Sequence, residues 1–453
     1  MVEIAVRAAV WLLRRLCAAD HRRFMAGLDD IEGVQARLRR RLMSDLARTD
    51  YGRTFPDPPL AGYADLQPWL ARQIGGEKAV IARRAFVHVE TTSGSAGAIK
   101  AIPYTRAAMA GFARMFRIWA CDLLVGGLRP RSGKIFISQS PRGSVRRETQ
   151  YLGGVLDRLL SPFLVRLKGG DDFLDDVATT LLAERDLEII SVWSPSYLTV
   201  VLDHIDRRGL GDWRHAWPRL QLISCWDEGQ AAAIAAELRA RFPGVRVQGK
   251  GLLATEAAMT VPIEGVGALP LYQDIYFEFL ADGAVHLLHQ LSAGETYEVV
   301  ITNPAGLVRY RTGDQVRVTG HHGVAPILSF VGRTGQVSDL VGEKLSEAFV
   351  GEALTPLVPS GRFVVVPATG HYMLLSETAV DAASADTALA AAHHYRLARA
   401  QGQLGPVEVR IIPSLLEKQK QFHTASGQAI GHIKDSALIS DPLRAAAFLA
   451  FIG

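Results

Sequence analysis

The stretch LEIISVWSPSYLTVVLDHIDRRGLGDWRHAWPRLQLISCW, residues 187–226, decides the fold class. It begins with a short β-branched run, Leu187–Trp193, and ends with a second one, Arg219–Trp226. Between them, Tyr197–Arg208 has the apolar spacing of a helix. A strand, a helix and a second strand in this order predict two parallel neighbours in a sheet that is covered by helices.

The same alternation of strands and helices extends to both sides of this unit. Phe86–Glu90 and Lys134–Ser138 have the composition of further buried strands, and Gly111–Val125 and Gly229–Phe242 have that of the helices between strands. This order predicts a mostly parallel sheet with helices on both faces. From Ile275 onward, strand-like runs follow one another with short turns, which predicts an antiparallel meander or barrel.

The C-terminal part of the chain returns to a mixture of helices and strands. Two helices and two strands are expected after Arg333: the helices at about Ser346–Leu354 and Ala385–Gln401, and the strands at Arg362–Pro367 and Val407–Ile412. We therefore predict an α/β protein. Residues 1–334 would form a large N-terminal domain with mixed and parallel sheets plus a β-barrel-like region, and residues 335–453 a small, mobile α+β C-terminal domain.

The composition excludes several classes of protein. The chain has 453 residues, of which 48% are apolar, so it can bury large cores. Fifty Lys and Arg against forty-six Asp and Glu leave a net charge of only +4, which does not indicate a nucleic-acid partner. Three cysteines, Cys17, Cys121 and Cys225, cannot build a disulfide framework, so a reduced, cytoplasmic compartment is expected.

The N-terminal run Ile4–Leu16 combines apolar residues with Arg7, Arg14 and Arg15. These charges argue against a membrane-spanning helix and against integral membrane association. The pattern fits an amphipathic helix, which we expect to pack against the body of the protein. Docking of this helix on a membrane surface is the alternative.

Thr91–Lys100, TTSGSAGAIK, is the strongest local signal for chemistry. It follows a predicted strand and precedes a helical stretch. Its small residues let backbone N–H groups converge on phosphate oxygens, its hydroxyls add donors, and Lys100 supplies a mobile positive charge. A plain connection between two elements is the alternative.

Three further segments could contribute to a nucleotide site. Gly249–Ala254 formally matches a dinucleotide-binding fingerprint but lies in the middle of the chain, so the carboxylate of Glu256 just after it is more interesting as a magnesium ligand. Asp314 in the sequence YRTGD either caps its own turn or accepts hydrogen bonds from a ribose diol. Gly332 and Arg333 form either a surface turn or a hinge that places Arg333 on a nucleotide.

Taken in order, four segments resemble the adenylate-forming enzymes: TTSGSAGAIK, LATE (Leu253–Glu256), YRTGD (Tyr310–Asp314) and FVGRTGQVSDLVGEKLSE (Phe330–Glu347). The sequence of the last segment is specifically similar to that of the GH3 branch, the acyl-acid amido synthetases. Thr49–Phe55, TDYGRTF, resembles the usual start of that branch. The resemblance spans nearly the whole chain.

The resemblance implies a role for each matching residue. The residues that would wrap the ATP phosphates are Thr92, Ser93, Gly94, Ser95 and Gly97, with Lys100 beside them. Thr255 would touch the α-phosphate, and Glu256 would hold Mg²⁺ as a catalytic residue. Asp314 would bind the ribose, with help from Arg333.

A late lysine typically stabilises the adenylation transition state in this family. Lys434 stands in the matching place, and Lys418 and Lys420 are its rivals. Two departures weaken the match. Leu252 replaces an aromatic residue often found against adenine, and Asp435–Ser436 replaces the Pro-Arg that commonly follows the late lysine.

The resemblance implies an ATP- and Mg²⁺-dependent ligase that converts a carboxylic acid into an acyl-AMP and transfers the acyl group to an amine, with an amino acid as the expected acceptor. The alternatives are transfer to the thiol of coenzyme A or of a carrier protein, and a non-catalytic relative that only binds a ligand. Cys225 and Trp226 could line the acyl pocket, although Trp226 is also explained as a core residue. The sequence does not indicate an oligomeric state.

Overall fold

The computed structural model describes residues 2–92, 100–138, 158–167, 172–426, 428 and 433–453. They form two compact units. The first unit comprises the described residues of Met1–Arg131, Arg146–Pro162 and Lys250–Val331, and the second comprises those of Ser132–Val145, Phe163–Gly249 and Gly332–Gly453. The division into a large domain, residues 1–334, and a small mobile domain, residues 335–453, stays a prediction.

The described helices are α1 (Val2–Ala26), α2 (Ile31–Leu46), α3 (Asp50–Thr54), α4 (Tyr63–Ile74), α5 (Arg106–Val125), α6 (Phe173–Ala183), α7 (Pro195–Arg208), α8 (Ala231–Arg241), α9 (Glu347–Leu354), α10 (Ala382–Leu389), α11 (His393–Ala400), α12 (Leu415–Ala425) and α13 (Pro442–Ile452). Short 3-10 turns lie at Leu28–Asp30, Ser161–Phe163, Trp213–His215 and Leu288–Gln290.

The described strands are β1 (His88–Thr92), β2 (Lys100–Tyr104), β3 (Lys134–Ile137), β4 (Leu187–Ser191), β5 (Leu222–Cys225), β6 (Arg246–Gly249), β7 (Thr260–Ile263), β8 (Gly267–Pro270), β9 (Tyr276–Ala281), β10 (Ala284–Leu287), β11 (Thr296–Thr302), β12 (Tyr310–His322), β13 (Ala325–Arg333), β14 (Val337–Ser338), β15 (Leu345–Ser346), β16 (Phe363–Ala368), β17 (His371–Ser376) and β18 (Glu408–Ile411).

The first unit is built on a five-stranded sheet in the order β10-β9-β11-β12-β13. Neighbours from β10 to β12 pair antiparallel, which confirms the meander predicted from Ile275 onward. Phe277, Phe279, Val299 and Ile301 point from the sheet into a large apolar core. Side chains of the helices α1, α2, α4 and α5 pack into the same core, so this sheet is the scaffold of the unit.

The second unit contains the predicted parallel sheet, with four strands in the order β3-β4-β5-β6. All three neighbouring pairs are parallel. The helices α6, α7 and α8 lie between these strands in the chain, and α7 and α8 were predicted at Tyr197–Arg208 and Gly229–Phe242. A second sheet, β16-β17-β18, follows in the C-terminal part of the unit. The α/β fold class is therefore confirmed.

Two predictions of individual elements are wrong. Phe86–Glu90 was expected as a buried strand of the parallel sheet, but β1 pairs antiparallel with β2 alone, and its side chains are half-buried or exposed. His88 and Glu90 alternate with Val89 in β1. This alternation is typical of a two-stranded ribbon with a solvent-exposed face, and not of a strand that is buried on both faces.

The long helix expected at Ala385–Gln401 is instead the pair α10 and α11. The chain becomes extended at Ala392 and turns back. This turn lets the Asp386 carboxylate accept hydrogen bonds from Tyr395 and from the Arg399 side chain, at 2.7 and 3.0 Å. Half-buried polar contacts between residues 9 and 13 positions apart outweigh the local helical preference of the alanines.

The helix α1 packs one face against α5, which confirms the expected packing of the N-terminal segment. Val6, Cys17 and Phe24 lie on that face and are at most 1% exposed. Among the described residues, no helix has the length and apolar character needed to cross a membrane.

Candidate active site

Thr255 and Glu256 occupy the tip of a tight turn in the first unit. Ala254 and Ala257 exchange backbone hydrogen bonds in both directions, at 3.0 and 3.2 Å, so the two residues between them are held outside the ladder. The backbone carbonyl of Thr255 accepts a hydrogen bond from the Tyr104 hydroxyl at 2.5 Å. The backbone carbonyl of Glu256 accepts one from the Asn303 amide at 3.0 Å. The turn is thus fixed from two sides.

The side chain of Glu256 lies with Lys100 and Tyr310, which come from two other motifs. The Lys100 ammonium donates to the Tyr310 hydroxyl at 3.1 Å and lies 4.0 Å from the Glu256 carboxylate. The Tyr310 hydroxyl donates to the same carboxylate at 3.4 Å. The Glu256 side chain is 6% exposed and that of Lys100 is 31% exposed. We call these three residues the Glu256 group.

Asp314 lies in a strand rather than in a turn. Along the pair β11 and β12, Arg311 faces Val300 and Gln315 faces Glu298, so residues 312–314 oppose the single residue Val299. This irregularity is a β-bulge, and it uses Gly313 with a φ of +78°. Asp314 is 1% exposed, and its backbone N–H donates to Thr312. The structure therefore gives the YRTGD motif a precise backbone conformation inside the sheet.

Most of the predicted phosphate loop lies outside the described residues. This is true of Ser93, Gly94, Ser95 and Gly97, whereas Thr92 is described only as the last residue of β1, opposite Lys100 in β2. The sequence analysis expected a helical stretch directly after this loop. The residue that follows instead begins β2, because Lys100–Tyr104 pairs with β1 along its whole length. Lys100 therefore has a defined place in a strand.

Lys434 lies in the second unit, in the segment before α13. Its side chain is exposed, and the ammonium lies over the ring of Trp226, 5.4 Å from the ring centroid. Trp226 is half-buried and packs on Trp193, with ring centroids 5.6 Å apart. A cation over an indole face is held in place without losing its charge.

Asp435, the next residue, is anchored deep in the second unit. Its carboxylate accepts hydrogen bonds from the hydroxyls of Ser194, at 2.7 Å, and of Ser196. The Lys420 ammonium lies 3.7 Å away. Ser194 precedes α7 but does not cap it with its side chain, because its hydroxyl serves Asp435 instead.

This anchoring bears on the choice among the three candidate lysines. The Lys420 side chain is 2% exposed, burial lowers its pKa, and Asp435 partly offsets that effect. A buried, paired ammonium is poorly placed to meet a substrate. Lys418 is half-buried in α12. Exposure and position favour Lys434, whose role stays a prediction.

A second polar group surrounds Glu347, the first residue of α9, and Ser436 is part of it. The Ser436 hydroxyl donates to the Glu347 carboxylate. Burial raises the pKa of this carboxyl group, and Ser436, the backbone N–H of Ala437 and the charges of Lys434 and Arg333 oppose the shift. Both predicted cationic residues of this unit thus act on one carboxylate.

Gly332 and Arg333 end the strand β13 rather than forming a surface turn. A Cβ on Gly332 would lie 2.8 Å from the Ala348 side chain, so α9 passes too close for any other residue. Arg333 is half-buried. The hinge motion expected here stays a prediction.

Cys225 and Trp226, the residues suggested for the acyl pocket, have different environments. Cys225 is fully buried in the apolar core of the second unit. Trp226 is half-buried and contacts Lys434. Of the two, only Trp226 presents surface that a substrate could touch.

Three residues that organise these groups were not among the predicted site residues: Tyr310, Glu347 and Asp435. Tyr310 stands inside the YRTGD motif, and its position beside Asp314 was the available signal. Glu347 ends the motif that identifies the GH3 branch. Asp435 was noted as a departure from the family pattern, but its partners Ser194 and Ser196 lie about 240 residues away, and no local signal links them.

Comparison with known proteins gives matches to models of GH3 family domains. The sequence model described as "GH3 family N-terminal domain" matches residues 21–137, and "GH3 family central domain" matches residues 268–333. A relative from Oryza sativa subsp. japonica, "Probable indole-3-acetic acid-amido synthetase GH3.9", is 29% identical over 51% of this chain and 64% of its own length. "Indole-3-acetic acid-amido synthetase GH3.8" from Oryza sativa subsp. indica is 33% identical over 37% of this chain and 34% of its own length.

These alignments cover less than two thirds of the curated relatives' own length. Solved structures are similar over nearly the whole chain. "AtGH3.15 acyl acid amido synthetase in complex with 2,4-DB" has a TM-score of 0.79 at 19% identity and covers 97% of this chain and 96% of its own. "2-Hydroxyisobutyryl-CoA Ligase (HCL)" in the postadenylation state has a TM-score of 0.63 at 15% identity, covering 93% and 91%. The fold is thus similar to that of these two ligases, and models of two GH3 family domains match residues 21–137 and 268–333 of the chain.

Proposed function

We propose that this protein is an ATP-dependent ligase that converts a carboxylic acid into an acyl-AMP and then joins the acyl group to an amine. One observation carries the proposal. Lys100, Glu256 and Tyr310 come from three separate motifs of the adenylate-forming pattern, and their polar atoms lie within 4.0 Å of one another. The fold of the chain and its family agree with this reaction.

The proposed reaction has two steps. A carboxylate reacts poorly with an amine because oxide is a poor leaving group. In the first step a carboxylate oxygen attacks the α-phosphorus of ATP, the bond to the β-phosphate breaks, and pyrophosphate leaves. In the second step the amine nitrogen attacks the acyl carbon, AMP leaves with the bonding electrons, and the nitrogen loses a proton. Preorganised positive charge lowers the barrier of the first step, because negative charge spreads over the phosphate oxygens.

We assign the ATP contacts by the family motifs. Lys100 approaches the phosphates from β2, and Thr255 contacts the α-phosphate from the tip of its turn. Thr92, Ser93, Gly94, Ser95 and Gly97 would wrap the phosphates. The burial of Asp314 requires that the ribose reach it through a movement of neighbouring side chains. Arg333 would help to bind the nucleotide.

Glu256 fits a magnesium ligand. Mg²⁺ is usually held by one or two carboxylates together with substrate phosphates, and Glu256 offers one carboxylate that the turn holds in place. The bound ion would neutralise phosphate charge. Without the ion, Lys100 and Tyr310 orient the Glu256 carboxylate, since both lie within 4.0 Å of the same carboxylate oxygen.

Lys434 is the residue we assign to the adenylation transition state. Its exposed ammonium can extend from the ring of Trp226, while Asp435 and Ser436 hold the backbone behind it. Lysine suits this role because it is a compact charge on a flexible stem.

The acceptor is proposed to be an amino acid, because the curated relatives are named as amido synthetases of indole-3-acetic acid. A thiol acceptor is the second candidate, since the fold is also similar to that of a coenzyme A ligase. A non-catalytic relative is the third. We propose a cytoplasmic location, in agreement with three free, buried cysteines.

Product analysis tests the proposal and separates the acceptors. The protein is incubated with ATP, Mg²⁺ and a panel of aryl, indolyl, fatty and keto acids, first alone, then with a mixture of amino acids, then with coenzyme A. We expect acyl-AMP with a subset of acids and an amide with amino acids. A thioester instead of an amide would overturn the choice of acceptor. No nucleotide turnover with any acid, in protein that binds ATP, would favour the ligand-binding alternative.

A further inference from the structure

The helix α1 has a second apolar face, opposite the one that packs on α5. Four large apolar side chains on it are exposed: Ile4 by 73%, Trp11 by 59%, Leu12 by 40% and Leu16 by 39%. At about 100° per residue, Ile4 and Trp11 fall within about 20° of each other around the helix axis, and Leu12 and Leu16 lie about 80° and 120° from Ile4. We call these four side chains the apolar ridge; it is about 18 Å long from the rise per residue, and Arg15 lies within it, between Trp11 and Leu12.

The charges around this ridge have one sign. The exposed arginines of α1 are Arg7, Arg14, Arg15, Arg22 and Arg23. Glu3 is exposed and pairs with Arg7 at 2.8 Å. Asp20 belongs to the packed side, where Arg117 of α5 lies 2.6 Å from its carboxylate, and the exposed Arg23 lies 3.9 Å from the same carboxylate. The exposed face of α1 therefore presents five arginines against one acid, on a chain whose net charge is only +4.

The mixture of arginine and tryptophan is characteristic of helices that lie in a membrane interface. The guanidinium of Arg15 lies 4.9 Å from the centre of the Trp11 ring, so the charge and the ring occupy the same part of the face. Long arginine side chains can reach lipid phosphates while their stems and the neighbouring leucines contact acyl chains. Tryptophan prefers the boundary between the two.

Geometry and charge argue against other occupants. A second copy of the same face would bring two sets of arginines together, which is repulsive. A folded acidic partner would need a groove shaped to the ridge, whereas a lipid surface accepts a convex helix of any length. Cytoplasmic leaflets carry anionic lipids that attract basic segments.

We propose that the exposed face of α1 binds reversibly to the surface of a membrane that contains anionic lipids. The apolar ridge enters the headgroup region, and the arginines contact the lipid phosphates. This inference is independent of the proposed ligase activity. The packed face of α1 stays on α5, so binding needs no unfolding of the helix.

Sedimentation with lipid vesicles tests this inference on the full-length protein. Vesicles of phosphatidylcholine are compared with equimolar mixtures of phosphatidylcholine and phosphatidylglycerol. We expect binding to the mixed vesicles alone, weakened by added salt. The double variant Arg14→Glu, Arg15→Glu should bind at least about 30-fold more weakly, from the contribution of each basic residue near an anionic surface. Trp11→Glu should also lose most of the binding.

Leu443→Glu provides a matched control, because Leu443 is 83% exposed on α13 in the other unit. It should bind vesicles like the unchanged protein. Equal binding by Trp11→Glu would overturn the proposal, and so would the absence of binding to anionic vesicles. If polyglutamate bound to the unchanged protein and vesicles did not, α1 would be a docking face for acidic proteins, which would also overturn it. Unchanged unfolding temperatures exclude misfolding of the variants.

Discussion

The Glu256 group and the surroundings of Lys434 hold their charges in opposite ways. In the first unit the carboxylate of Glu256, the proposed magnesium ligand, is buried and contacts a lysine and a tyrosine. In the second unit Lys434, the lysine proposed for adenylation, is exposed, and the next residue in sequence, Asp435, is buried and hydrogen-bonded. We infer that one part of the proposed reaction needs a carboxylate in one constant place, whereas the other needs an ammonium that extends from a fixed stretch of backbone.

Removal of the Asp435 carboxylate, which anchors the backbone next to Lys434, should have the largest effect. Asp435→Ala leaves Lys420 without its carboxylate partner in a buried position, together with the hydroxyls of Ser194 and Ser196. We expect a loss of about 3–5 kcal/mol in the free energy of unfolding, measured by urea denaturation.

The double variant Asp435→Asn, Lys420→Met serves as the control for this prediction. It removes both charges and should recover most of the stability, because a buried ion pair can be replaced by groups of similar volume at little cost. If Asp435→Ala unfolds at the same urea concentration as the unchanged protein, the anchor described here does not exist.

Removal of the mobile charge should affect one step only. Lys434→Ala should slow adenylation by about 10²–10³-fold, the usual effect of losing one group that stabilises the transition state. The transfer step, started from synthetic acyl-AMP, should keep its rate. Lys418→Ala is the matched control and should leave both steps unchanged. Equal loss of both steps in Lys434→Ala would show that the residue is structural.

The carboxyl group of Glu347 should make the second unit sensitive to pH. Its pKa is raised in the folded protein, mainly by burial. The ionised form is therefore less favourable in the folded than in the unfolded state, and this group lowers stability as the pH rises from the unfolded pKa of about 4.5 through the folded one.

Glu347→Gln should remove this dependence. Compared with the unchanged protein, the variant should gain stability above the folded pKa, and the gain should disappear in acid. Urea denaturation across the pH range measures it. A constant difference at every pH would mean that ionisation of Glu347 has no part in the stability of this unit.

The smallest effect is expected within the Glu256 group. Tyr310→Phe removes the hydroxyl that joins Lys100 to Glu256. A hydrogen bond to a charged group contributes about 1.5–3 kcal/mol, so adenylation should slow by about 10- to 150-fold. Tyr297→Phe is the control, because its hydroxyl accepts a hydrogen bond from the Ser292 backbone in the same unit. Equal rates for both variants would argue against the grouping.

Local patterns predicted the elements but not the contacts between distant side chains. The strand-helix-strand order of residues 187–226 and the meander after Ile275 were readable, because periodicity and turns are local properties. The pairing of β1 with β2 was not, since a short β-branched run does not reveal its neighbour. The partners of Asp435 could not be predicted either, because Ser194 and Ser196 lie about 240 residues away and meet it only through tertiary packing.

The candidate site was predicted to a similar extent. The motifs named Glu256, Lys100 and Asp314, and the structure places the first two together with Tyr310. The β-bulge that contains Asp314 could be predicted only from the register of β11 and β12, and no local pattern in the sequence indicates that register. The prediction of one long helix at Ala385–Gln401 was wrong for the same reason: the contact between Asp386 and Arg399 forms only in the folded chain.

Exchange of labelled pyrophosphate into ATP tests the central claim most directly. The unchanged protein is measured with the panel of carboxylic acids, beside Glu256→Ala and the control Glu295→Ala, in which an exposed carboxylate of the same unit is removed. We expect acid-dependent exchange that Glu256→Ala abolishes and Glu295→Ala retains. Full exchange in folded Glu256→Ala would contradict the assignment of Glu256 as the carboxylate at the centre of adenylation.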